Sequence, residues 1–114
     1  MVDGTNVLQS TKKNLGIVPE CTDFDSQVLM FINSAFSTLH QLGIGPDEGV
    51  EVTDTTDWSV VISEPRFNFI KSYVYMKVRL MFNPPTSSFA LNEMTKEVSE
   101  LEWRIRSEVE CYGQ

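Results

Sequence analysis

Residues 68–106, NFIKSYVYMKVRLMFNPPTSSFALNEMTKEVSELEWRIR, decide the fold. Phe67, Ile70, Val74, Val78 and Met81 recur at helical spacing and predict a helix from about Arg66 to Phe82. Phe69, Tyr73, Met76 and Leu80 form a second stripe on the same helix. Two stripes predict burial from two sides. A chain of 114 residues has little core in which to hide such a helix, so the second stripe is expected to meet another copy of the protein. Asn83-Pro84-Pro85 then ends the helix, because proline lacks an amide donor and pushes the residue before it out of the helical region. Thr86, Ser87 or Ser88 restarts it as N-cap, and the pattern does not choose between them. Leu91, Met94, Val98, Leu101 and Ile105 give a last helix, from about Ser88 to Val109, with the single seam of an antiparallel helix pair. Glu100 to Arg104 and Glu102 to Arg106 are spaced as surface ion pairs worth about 0.3–0.5 kcal/mol each. Trp103 lies off the seam, as either a second-layer core residue or an interface anchor.

Working toward the N-terminus, Trp58 to Ser63 forms a brief helical turn, capped by Thr56 or Asp57 and interrupted at Glu64-Pro65. Residues 43–57, GIGPDEGVEVTDTTD, hold three glycines, one proline, five acids and no base. They read as a long acidic loop in which Val50-Glu51-Val52-Thr53 alternates like a short strand. The loop is either a solvated surface or an acidic wall for interaction. Val28, Ile32, Ala35, Leu39 and Leu42 predict a core helix opened by Thr22-Asp23-Phe24-Asp25 and ended by Gly43. Thr5 to Leu15 predicts a marginal helix that must dock to persist, closed by Gly16. The expected fold is mostly α: one domain over residues 1–114, a small bundle of about four helices, and an acidic loop with room for a short strand or hairpin.

Composition narrows the function. The net charge of −7 opposes tight contact with phosphates or an anionic membrane surface. Met1-Val2-Asp3-Gly4 lacks a basic region and an apolar stretch after it, so no signal peptide is expected. No apolar run approaches the roughly 18 residues of a membrane span. Cys21 and Cys111 are expected to be reduced thiols. One histidine, His40, and this cysteine spacing supply no zinc ligand set, and the acids of the loop do not match a helix–loop–helix calcium site. No glycine loop has the lysine and context needed to cradle phosphate, and no nucleophile sits in an activating motif. The expectation is a protein that is not an enzyme, with no catalytic residue, cofactor or metal.

Four segments, Leu8–Gly16 (LQSTKKNLG), Phe31–Gly45 (FINSAFSTLHQLGIG), Tyr73–Phe89 (YVYMKVRLMFNPPTSSF) and Glu100–Arg104 (ELEWR), follow one another in the order found in a known family. On them the chain resembles the phage head–tail connectors, also called head-completion or neck adaptor proteins. The run Y-x-K-V-R-L-x-F-x-P-P-T-S-S-F is the most specific of the matches. The resemblance implies a virion protein, made in the host cytoplasm, that assembles with itself as a cyclic ring of about twelve copies. It implies partners in the portal protein above and the next neck or tail-completion protein below. DNA would pass through the ring without specific binding, and no membrane is involved. Under that resemblance Trp58, Phe69, Tyr73, Met76, Leu80, Trp103 and Tyr112 are candidate interface residues. Asp47, Glu48, Glu51 and Asp54 are candidates for an acidic channel or axial face. The chain after Val109 is expected to dock on a neighbour. The alternative is a small acidic helical regulator that binds a host or phage protein in the cytoplasm.

Overall fold

A computed structural model describes residues 6–43, 51–60 and 68–112, excepting the side chains of residues 60 and 110–112. It is a helical bundle: α1 (Val7–Leu15), α2 (Asp25–Gln41), a 3-10 turn (Trp58–Val60), α3 (Phe69–Phe82) and α4 (Ser88–Tyr112). Among the described residues there is no strand. The short strand expected around Val50–Thr53 is absent over residues 51–53, and Val50 lies outside the described residues. In its place, the Asn33 amide donates to the Val52 carbonyl at 3.0 Å and accepts from the Val52 N–H at 2.7 Å. One side chain on α2 thus does what a partner strand would have done for a half-buried backbone. Residues 51–57 are further tied to α1 by an isolated antiparallel bridge between Asn6 and Asp57 and by the Val7 N–H donating to the Thr56 carbonyl at 3.0 Å.

α1 is short, and its stability comes from its ends and its docking. The Asn6 side chain accepts from the Gln9 N–H at 2.8 Å, a standard N-cap. At the other end Gly16 takes φ 83°, and the Gly16 and Ile17 amides close onto the Lys13 and Lys12 carbonyls at 3.1 and 2.8 Å. Val7 and Leu8 enter the core. Lys12 is only 1% exposed, and its Nζ meets Asp25 Oδ1 and the Cys21 carbonyl at 2.8 Å and the Pro19 carbonyl at 3.3 Å. The expected capping role at the start of α2 is not made: Phe24 stands at the N-cap with no side-chain bond. Asp25 is drawn to Lys12 instead, because an ammonium sealed in the core must be paired.

Both stripes of α3 pack within the subunit, the first largely and the second only in part, so Phe69, Met76 and Leu80 keep exposed surface that a second copy could cover. α3 is the central helix and packs against α1, α2 and α4. Ile70, Tyr73, Val74 and Val78 are fully buried, while Phe69, Met76 and Leu80 are half-buried against the same core. Phe67 lies outside the described residues. Four helices around one shared core find more apolar cover than the length of the chain suggests.

Ser87 is the N-cap of α4: its Oγ accepts from the Ala90 N–H at 3.2 Å. The seam of α4 buries Val98, Leu101 and Ile105. Each is worth about 1.5–3 kcal/mol of burial, so the seam and not the surface charges holds the α3–α4 hairpin. Glu102 takes no part in defining a solvated ion-pair face. It reaches across to α3, accepting from the Tyr73 hydroxyl at 2.8 Å and pairing with Lys77 at 3.5 Å. Helix α4 continues to Tyr112, past the end expected near Val109, so the backbone is helical that far.

Candidate interaction surface

The outer face of α4 is set by its own periodicity. Val98, Leu101 and Ile105 point into the bundle, and Phe89, Lys96 and Trp103, seven residues apart, lie on the opposite side. Trp103 is 68% exposed and Phe89 75% exposed. They sit about 21 Å apart along the helix, with charged residues between them. Single exposed apolar residues are ordinary, but two large aromatics aligned on one charged helix face form a surface suited to anchoring another protein. This settles the alternative left open for Trp103: it is outside the core.

Phe89 is bare because it lies on the face of α4 turned away from the bundle, and helix length adds an overhang. α4 has 25 residues against 14 in α3. About 16 Å of α4 therefore has no α3 beside it. Leu91, assigned to the seam from its spacing, is exposed for that reason. The signal was present in the sequence as a mismatch between the two helices flanking Asn83-Pro84-Pro85, and the periodicity alone did not register it.

Other candidate residues lie elsewhere. Trp58 is a correction: at 3% exposure it belongs to the core. Its ring packs between Phe36 and Tyr75, with centroids at 5.8 and 5.9 Å, and its Nε1–H donates to Ser10 Oγ at 2.9 Å. A tryptophan that satisfies its own N–H inside the subunit keeps little for a partner. Tyr73 is likewise corrected, being fully buried with its hydroxyl on Glu102. Burial first, then the hydrogen bond and negative charge of Glu102, push the Tyr73 phenol well above its usual range. Phe69 is half-buried, and the Arg104 guanidinium lies 4.7 Å from its ring centroid. The Tyr112 side chain, Asp47 and Glu48 lie outside the described residues. Glu51 and Asp54 are exposed on the 51–57 arm, whose backbone is bonded to α1 and α2; the Asp54 carbonyl accepts from Asn6 Nδ2 at 3.0 Å. The two acids therefore stand on an anchored surface.

Among the described residues no group of three His, Cys, Asp or Glu side chains could hold a metal ion. His40 lies exposed in the last turn of α2, and the Cys21 thiol is free. No helix among them is long and apolar enough to cross a membrane.

The described residues thus form a small helical bundle with an aromatic-studded outer helix and an anchored acidic arm. The family model described as phage connector protein matches residues 7–111, and the chain belongs to that family. It is a family of phage structural proteins, which places this chain among virion components that contact other head and tail proteins. No curated protein and no solved structure matches the chain.

Proposed function

We propose that residues 1–114 act as one head–tail connector domain, assembling as a closed ring beneath the portal and joining the head to the neck or tail. The observation that carries this is the family match over residues 7–111. The outer face of α4 supports it, since Trp103 offers a large aromatic anchor to a neighbour. Half-buried Phe69, Met76 and Leu80 contribute the rim of contacts that Tyr73 and Trp58, being internal, do not. The ring prolongs the DNA channel, and the negative charge of the chain keeps DNA from adsorbing as it passes. Glu51 and Asp54, with Asp47 and Glu48, face the lumen or an axial surface in this proposal. The cytoplasmic-regulator alternative has no observation of its own beyond the acidic composition.

Native mass spectrometry of the full chain, alone and with portal protein, tests the proposal. One closed oligomer of defined mass is expected, formed alone or on the portal. A strict monomer in the presence of portal protein overturns it.

A further inference from the structure

We propose that the Phe89 end of α4 in one copy seats in a groove at the C-terminal end of α1 in the next copy, so that each subunit joins the assembly through two different surfaces. The proposal rests on the ring assembly proposed above and names the surfaces that build it.

The groove is lined by Gln9, Lys13, Gly16, Ile17, Val18 and Pro19 and has a volume of about 370 Å³. Its far wall is held in place. Gly16 turns the chain away from α1, and Lys12 grips the Pro19 and Cys21 carbonyls so that residues 17–19 stand off as a fixed apolar rim. Val18 on that rim is 59% exposed. The other surface is Phe89, on the first turn of α4 beyond the reach of α3.

Three observations pair these two surfaces. The first is charge: Lys13 is exposed at the groove, and Glu93 follows Phe89 by one helical turn on the same side of α4. A seated Phe89 brings a carboxylate toward an ammonium. The second is level. Lys12 ties the end of α1 to the start of α2 through Asp25, Phe24 at that start packs edge-on against Phe82 at 5.5 Å, and Phe82 leads directly into the turn before Phe89. Groove and aromatic therefore belong to one end of the bundle. Rotation about a ring axis leaves height along that axis unchanged, so patches at one end of an upright bundle meet from copy to copy. The third is side. α1 and α4 both pack on α3 and share no substantial packing with each other. The two patches thus lie on different flanks of the subunit, the arrangement a head-to-tail contact requires.

Mixing the single variants Phe89→Asp and Val18→Asp, each in the full chain, tests the pairing. Both positions are exposed, so circular dichroism of each variant is expected to match wild type; Phe89→Ser and Val18→Ser replace either one that does not. Under conditions where wild type assembles, each variant alone should associate at least about tenfold more weakly. The mixture should form a one-to-one dimer and stop there, because one intact groove meets one intact Phe89 and the remaining patches are spoiled. A variant that assembles like wild type, or a mixture with no dimer, overturns the pairing while leaving the ring intact. Loss of portal binding by Phe89→Asp with normal self-assembly assigns the surface to the portal and also overturns it. Wild type that stays monomeric with portal present overturns the ring itself.

Discussion

Replacing Lys12 by methionine tests whether its ammonium, and not its bulk, holds the N-terminal third of the bundle. Methionine keeps an unbranched side chain of similar reach, so the core around it stays filled. What disappears is one ammonium with three acceptors: Asp25 Oδ1 and the Cys21 carbonyl at 2.8 Å and the Pro19 carbonyl at 3.3 Å. Hydrogen bonds to a charged group contribute about 1.5–3 kcal/mol each. Asp25 is 27% exposed and can turn to water once released, so its share falls toward the ~1 kcal/mol of a surface pair. Relief from burying an ammonium offsets several kcal/mol more. The balance is an expected loss of about 2–4 kcal/mol, a large part of the ~5–15 kcal/mol that stabilises a typical domain. Asp25→Asn, which leaves the carbonyl contacts in place but removes the counter-charge of a buried ammonium, should cost about 1–3 kcal/mol. Urea unfolding of wild type and both variants, with the slope of the transition unchanged, measures these differences. A Lys12→Met loss below about 0.5 kcal/mol would show that packing alone fixes this region and would refute the reasoning.

Three further outcomes are expected. Gly43 has φ 97°, and a Cβ there would come within 2.8 Å of Val109 Cγ1, so Gly43→Ala should lower stability by about 1–3 kcal/mol in thermal or chemical unfolding. The raised Tyr73 phenol leaves stability unaffected while both states stay protonated; above about pH 10 the unfolded chain loses a proton that the folded chain keeps, so stability falls with pH. Tyr73→Phe should remove that component of the fall, read by unfolding curves across the alkaline range, and a fall equally steep in the variant counts against it. Trp103→Ala should change unfolding free energy by no more than about 0.5 kcal/mol and yet weaken assembly measured by light scattering, whereas equal losses in both would place Trp103 in a structural role.

Much of the helical framework was legible because its signals are local. The seam residues Val98, Leu101 and Ile105 are spaced for one face of a helix, and all three are buried. Gly16 and Gly43 stand where helices end, and both take the positive φ that glycine tolerates best. The Pro84-Pro85 break lies between α3 and α4 as its missing donors require. The candidate contact surface was less legible. Trp103 was one of two alternatives, and Phe89 stood out only as a letter in a motif, because exposure depends on what another helix covers.

The sequence by itself determined that the bundle is mostly α, roughly where its helices lie and which family the chain resembles, since periodicity, glycine ends and proline breaks act within a few residues. Only the tertiary structure decided that α3 packs against three other helices, leaving its second stripe half-covered, and that Trp58 turns inward to Ser10 Oγ. The same holds for the pairing of Lys12 with Asp25 and for the bare Phe89 face at the start of α4. These are relations between residues distant in the chain. Periodicity identifies an apolar face; only packing geometry assigns the neighbour that covers it, or leaves it open for another protein.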